Sequence, residues 1–250
     1  MSFDFKGKRV VIAGGSRGIG RSIALGFAEA GAGVSICARG ADGLKATAAE
    51  IGRFGGAVHF APCDLANAAS IAGYIPAAAQ ALGGIDILVN NASGFGQGDT
   101  EEGWEAGMQV DIMAVVRASR AAQPFLEQAK GASIVNIASI SGYRPSLRTA
   151  AYAAVKAAVI QYTTSQAAAL SRKGIRVNCV APGSVEFPGG MWEQRKTTDP
   201  TLYNRTLGSI PFGRMGSPEE IANVVLFLAS PLASWVTAQT IVADGGQLLG

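Results

Sequence analysis

The chain has 250 residues, 48% hydrophobic and 16% charged, with a net charge of +3. That apolar fraction suits one sizeable buried core, while so small a charge on scattered basic residues argues against nucleic-acid binding. Thirty-three glycines without a repeating period exclude a collagen-like chain, and a single histidine argues against a His-based triad or multi-His metal site, so no metal is expected.

Short apolar runs alternate with longer amphipathic stretches along the whole chain. The first ten residues carry charges throughout, and no uncharged apolar stretch reaches membrane-spanning length, so a cytoplasmic protein with no membrane partner is expected. Strands are expected at Arg9–Ala13, Gly33–Ala38, Ala57–Pro62, Ile85–Asn90, Ser133–Ala138, Arg176–Ala181 and Thr240–Ala243. Helices are expected between them at Gly18–Ala30, Ala41–Phe54, Ala68–Leu82, Glu102–Ala129, Thr149–Arg172 and Pro218–Leu228. Strands that are apolar without alternation suit a parallel sheet covered on both faces. The expected fold is therefore α/β: a doubly wound parallel β-sheet, Rossmann-like, with helices on both faces, as a single domain over residues 1–250. Cys37, Cys63 and Cys179 fall in or beside strands and read as buried thiols. One stretch breaks the rhythm. Gly183–Gly216 is rich in proline and polar residues, with only a weak helical patch around Trp192–Thr197, and a substrate loop or lid is expected there.

The turn AGGSRGIG (Ala13–Gly20) follows the first strand and opens the first helix. Glycines at 14, 18 and 20 allow a tight turn, close approach of a pyrophosphate to the backbone, and a helix N-terminus with free N–H groups. At the end of the second strand, where an acidic residue would bind the ribose hydroxyls of NAD, stand Ala38 and Arg39. With Arg17 from the turn, Arg39 suits a 2′-phosphate, so NADP(H) is expected over NAD(H). Asp64 ends the third strand and suits either the adenine amino group or a cap on the following turn. NNAS (Asn90–Ser93) ends the fourth strand.

Tyr152 and Lys156 are four residues apart in AAYAAVKAAV, a stretch without Pro or Gly that should be helical, so they share one face. An ammonium beside a phenol favours the phenolate and suits Tyr152 to general acid/base work near neutrality. Ser139, thirteen residues upstream, supplies a hydroxyl after the fifth strand.

With these pieces together, the chain resembles the short-chain dehydrogenase/reductase family in its compact form, and among its members the 3-oxoacyl-carrier-protein-reductase-like ones. The resemblance includes RVNCVAPG (Arg176–Gly183) and ADGGQ (Ala243–Gln247) and spans the chain. It implies a NADP(H)-dependent oxidoreductase that interconverts a small-molecule carbonyl and a secondary alcohol by hydride transfer. In that reading Tyr152 donates the proton, Ser139 hydrogen-bonds the substrate oxygen and Lys156 assists the tyrosine and holds the nicotinamide ribose. The cofactor is implied to contact Gly14, Ser16, Arg17, Gly18, Ile19, Gly20, Arg39, Asp64, Leu65, Asn91, Ala92, Tyr152, Lys156, Pro182, Gly183 and Val185. Four departures stand out: Ala13 where the pattern has Thr, Ser93 where it has Gly, Phe187 where it has a Thr that contacts the carboxamide, and Asp111 where it has a catalytic Asn. An ionised Asp111 would offset the charge of Lys156, and an alkaline-shifted profile for alcohol oxidation is expected; Asp serving as well as Asn is the other expectation.

Ser93, Phe95, Ser141, Tyr143, Arg144, Phe187, Met191 and Trp192 are candidates for the substrate pocket. Helices carrying Val115, Ala118 and Ala122, or Ala157, Ile160 and Ala167, suit burial between subunits, and with the resemblance they imply a homo-oligomer, dimer or tetramer. Three rival readings stay open. They are a cofactor-binding protein with weak or lost catalysis, an enoyl-thioester reductase, and an epimerase or dehydratase.

Overall fold

The computed structural model describes residues 3–96 and 98–250; Met1, Ser2 and Gln97 of the expected domain lie outside the described residues. Seven parallel strands form one sheet in the order β3-β2-β1-β4-β5-β6-β7. They are β1 (Arg9–Ala13), β2 (Gly33–Ala38), β3 (Val58–Pro62), β4 (Ile87–Asn90), β5 (Ser133–Ile137), β6 (Arg176–Pro182) and β7 (Thr240–Ala243). Register is direct: Ile12 pairs with Ile36 on one side and Val89 on the other.

Helices α1 (Gly18–Glu29), α2 (Ala41–Gly52) and α9 (Pro218–Ala229) cover one face of the sheet, and α3 (Ala68–Leu82), α5 (Ala114–Leu126) and α6 (Ala150–Leu170) cover the other. Successive strand residues therefore enter opposite cores: Val10 and Ile12 face one, Val11 and Ala13 the other. Each fully buried aliphatic side chain contributes about 1.5–3 kcal/mol. Burial on both faces explains why the central strands are apolar without alternation, while the edge strands β3 and β7 stay half-buried, and the doubly wound fold expected from the sequence is the one formed.

Four local differences from the sequence expectation have physical causes. β4 starts at Ile87, just after Asp86, whose carboxylate takes the place of a strand carbonyl by accepting from the backbone N–H of Arg9 at 2.9 Å, and also accepts from Arg9 Nε at 2.6 Å. The helix expected at Glu102–Ala129 is three pieces: α4 (Glu101–Ala106), a π-helical segment (Gly107–Met113) and α5. Gly183–Gly216 holds two helices, α7 (Met191–Thr198) and α8 (Pro200–Gly208), in place of an irregular loop. Both are mostly exposed, with no fully buried residue in α7 and only Leu202 in α8, while Asp199 caps α8 by accepting from Leu202 N at 3.0 Å and Pro200 opens it. Finally, Ala118, Ala122 and Ala167 are buried inside the chain in the core against the sheet and Val115 is buried as well, so packing within the subunit already accounts for those small residues. No helix among the described residues is long and apolar enough to cross a membrane.

Candidate active site

The glycine-rich turn between β1 and α1 is fixed by close backbone contact. Gly14 and Gly15 N–H both donate to Cys37 O at 3.0 Å, and Asn91 Nδ2 donates to Gly14 O at 2.7 Å. Gly14 has φ +90°, and a Cβ there would lie 2.8 Å from Ala92 Cα; a Cβ on Gly20 would lie 1.9 Å from Gly14 O. Only glycine fits at these positions. Ser16 accepts from Thr47 Oγ1 at 3.1 Å through its carbonyl. Arg17 is extended, no side chain caps α1, and its first turn has no acidic residue. The helix thus offers open N–H groups and a positive dipole end, the chemistry that suits a pyrophosphate. The ring of Phe187 leans over Gly18, where a Cβ would lie 2.5 Å from the ring tip.

The other expected cofactor residues are spread around this turn. Arg39 is exposed just past β2. Asp64 is exposed and accepts from Ala66 N at 3.0 Å, the turn-capping alternative of the sequence reading. Leu65 points into the core at 6% exposure, so any contact it makes to a ligand is through its backbone.

At the centre of the site, Lys156 and Asp111 are both sealed from solvent, with side-chain exposures of 2% and 0%. Lys156 Nζ donates to Ile137 O at 2.9 Å, at the end of β5. It also lies 2.9 Å from Asp111 Oδ1, while Asp111 Oδ2 accepts from Gly94 N at 2.9 Å. Burial alone would depress the ammonium; the Asp111 carboxylate and the nearby Tyr152 outweigh it, and the Lys156 pKa is raised. The ammonium sits 5.6 Å from the centroid of the Tyr152 ring. On its other side Tyr152 stacks against Phe95, with ring centroids 5.4 Å apart and planes 4° from parallel. Phe95 adopts φ +48°, an unfavourable conformation for a bulky residue. Its N–H donates to Ser93 Oγ at 3.1 Å. Ser139 is buried and accepts from Ser141 N at 3.1 Å through its hydroxyl oxygen.

Behind these residues runs a buried polar network. Asn136 on β5 accepts from Asn90 Nδ2 on β4 at 2.8 Å, and donates to Thr163 at 3.0 Å and Gln166 at 3.2 Å on α6. Asn90 Nδ2 also reaches Ser119 Oγ on α5 at 3.2 Å. The strand ends bearing Asn91 and Ser139 are thereby fixed against the helix bearing Tyr152 and Lys156.

A cavity of about 970 Å³ opens at the carboxyl ends of β4, β5 and β6, where ligands bind in sheets of this kind. It brings together Arg17, Ile19, Asn91, Ser139, Tyr152, Lys156, Pro182, Gly183 and Val185 of the expected set. Ser93, Phe95, Ser141, Arg144, Phe187, Met191 and Trp192 also line it, as the pocket reading expects. Tyr143 does not. It closes the short turn Ile140–Tyr143 with its side chain 48% exposed, outside the cavity wall. A second cavity of about 810 Å³, at the amino ends of the strands beside Phe5, Ile175 and Trp235, holds none of the candidate catalytic residues.

The sequence reading missed several features of this site. The wall residues Arg195 and Arg205 come from two short, largely exposed helices of the segment expected to be a loop or lid. The Gly94–Asp111 hydrogen bond joins residues seventeen apart through a π-helical turn. A run of glycines flanking Phe95 was the one available signal for its backbone conformation.

Comparisons with known proteins agree with this geometry. A family model described as enoyl-(acyl carrier protein) reductase matches residues 13–247. Isoepoxydon dehydrogenase patN of Penicillium expansum is 38% identical over 252 residues, covering 98% of this chain and 96% of that protein. The 3-oxoacyl-[acyl-carrier-protein] reductase FabG of Chlamydia pneumoniae is 36% identical over 251 residues, covering 98% and 99%. Among solved structures, a short chain dehydrogenase from Burkholderia cenocepacia in complex with NADP superposes with a TM-score of 0.90 at 32% identity, covering 97% of this chain and 98% of that one.

Proposed function

The chain belongs to the short-chain dehydrogenase/reductase family, and we propose that it is a NADP(H)-dependent oxidoreductase that interconverts a carbonyl and a secondary alcohol, with Tyr152 as general acid/base. One observation carries this reading: Ser139, Tyr152 and Lys156 line a single cavity with Arg17 and Ile19 of the glycine-rich turn.

The residues present fit the cofactor. The uncapped start of α1 and the glycines of the turn suit its pyrophosphate, Arg17 and Arg39 its 2′-phosphate, and Asn91, Pro182, Gly183 and Val185 its nicotinamide end. The bound nicotinamide supplies the hydride donor or acceptor. Ser139 offers its hydroxyl to the carbonyl oxygen, and Tyr152 gives that oxygen a proton in the reductive direction. Lys156, held by Ile137 O and charged beside Asp111, supports the phenolate that remains. Carbonyl polarisation and proton donation each lower the barrier by roughly a few kcal/mol. The segment at 183–216, with α7 and α8, forms the lid over the substrate. A homo-oligomer, dimer or tetramer, belongs to the same reading.

The test is NADPH consumption against a panel of ketones, quinones, oxoacyl and enoyl thioesters, with Tyr152→Phe as control. Turnover by the wild type that disappears in the variant, while NADPH still binds, supports the assignment. Turnover that persists in Tyr152→Phe removes Tyr152 from the role. The description of the matching family model favours a second reading, reduction of a conjugated C=C bond in an acyl thioester. Product analysis separates a saturated thioester from a hydroxyacyl one.

A further inference from the structure

The substrate end of the catalytic cavity has an unbalanced charge. Its wall includes Arg17, Arg144, Arg148, Arg195, Arg205 and Lys156, and no Asp or Glu. Three of these are accounted for: Arg17 belongs to the glycine-rich turn, Lys156 is neutralised by Asp111 at 2.9 Å, and Arg148 pairs with Asp199 at 3.1 Å. The remaining three have no carboxylate partner among the described residues. Arg144 has one long hydrogen bond, 3.4 Å, to Gln247 O. The Arg195 guanidinium carbon sits over the Trp192 ring, 5.0 Å from its centroid, and neither Arg195 nor Arg205 has a side-chain hydrogen bond to any described residue. They come from different elements, the loop after β5, α7 and α8, yet converge on the same opening as Ser139 and Tyr152. Both helices place their arginine in the last turn, where a cation is favoured; that favour alone does not require either to face the cavity. Arg195 is partly desolvated, and burial together with Arg148 depresses its guanidinium against the opposing pull of Asp199.

Resting on the reductase reading of the same site, we propose that the substrate is an anionic carbonyl compound, whose carboxylate or phosphoryl group is held by Arg195, Arg205 and Arg144 while its carbonyl lies at Ser139 and Tyr152. A guanidinium fork matches the oxygens of either anion and, backed by an indole face, loses little freedom on binding. Phe95, which lines the same cavity and stacks on Tyr152, accepts the carbon skeleton.

Matched pairs decide the point. One pair is 4-oxocyclohexanecarboxylate and its methyl ester; the other is dihydroxyacetone phosphate and dihydroxyacetone. Each is assayed for turnover with NADPH, and for binding by calorimetry in the presence of NADP+. The anion of at least one pair is expected to exceed its neutral partner tenfold or more in kcat/KM and in affinity, and the pair that responds identifies carboxylate or phosphoryl. In Arg195→Gln/Arg205→Gln the anion-to-neutral ratio is expected to fall toward one, through KM, with kcat little changed. Neutral members handled as well as the anions, or a double variant with the wild-type ratio, overturns the proposal while leaving the reductase reading intact. Turnover absent throughout, with anion binding that the double variant loses, overturns the reductase reading and keeps the anion site. Absence of anion binding and of turnover overturns the proposal.

Discussion

Asp111 and Lys156 form a buried ion pair, 2.9 Å apart, with neither side chain open to solvent. The carboxylate compensates the charge that would otherwise act on Tyr152. Asp111→Asn retains an acceptor for Gly94 N but removes the compensation. The limb of the pH–rate profile for alcohol oxidation that reports proton transfer is therefore expected to move toward acid. The variant should also lose about 3 kcal/mol of stability at neutral pH, because Lys156 keeps its burial and loses its counter-charge. A profile unmoved by the substitution, in an enzyme that still binds NADPH, counts against the electrostatic role.

Phe187 covers Gly18 at the approach to the start of α1. Phe187→Thr clears that approach and supplies a hydroxyl for the carboxamide, a hydrogen bond of about 1 kcal/mol. NADPH titration by fluorescence should show binding tightened about fivefold or more. Weaker binding would instead identify the ring as a wall that packs against the cofactor.

Arg39 stands exposed at the end of β2 with no carboxylate beside it on that strand. Arg39→Asp should lower the ratio of kcat/KM for NADPH to that for NADH by about tenfold or more, since it both removes a guanidinium and repels a 2′-phosphate. An unchanged ratio assigns the phosphate to other groups.

Glu220 sits in the capping box of α9, accepting from Ser217 N at 2.9 Å and paired with Arg214 at 2.6 Å. Arg214 first, and the Ser217 N–H second, hold its carboxyl down at about 2. A depressed carboxyl stabilises the fold above its unfolded value and loses that contribution as pH falls through the folded one. Glu220→Gln keeps the cap but not the charge. Its deficit relative to wild type, under about 1 kcal/mol for so exposed a pair, should be present at pH 6 and vanish between about pH 4.5 and 2. Denaturant midpoints measured across that range test this, and a constant deficit would point to the cap geometry alone.

The sheet was legible because its central strands are buried on both faces, so Val10–Ala13 or Ile87–Val89 reads as an unbroken apolar run. The turn at Gly14–Gly20 and the Tyr152/Lys156 spacing were legible because backbone clearance and helical periodicity leave local marks. Asp111 beside Lys156 was legible only through the family resemblance, while Ile137 O on Lys156 and Gly94 N on Asp111 were not, since they arrive through tertiary contact. Of the two helices in Gly183–Gly216, α7 (Met191–Thr198) was foreshadowed by the patch at Trp192–Thr197, while α8 was missed because its half-buried stripe is short and a single cap at Asp199 is a faint signal. Tyr143 shows the limit of proximity in sequence, lying four residues from Ser139 and still turned away from the cavity.

The π-helical stretch Gly107–Met113 closes its hydrogen bonds over one residue more than the helices on either side, so it acts as a phase offset along a continuous rod. Upstream, α4 keeps its own facing; downstream, α5 turns Ala114, Ala118 and Ala122 toward the sheet, and Asp111 falls on the inner side between them. A single-residue deletion within the stretch would therefore act as a rotation, on the order of 100° about the axis. It would swing either Asp111 or the apolar side of α5 out of place while leaving composition almost untouched. Length at this point of the chain is thus as constrained as residue identity.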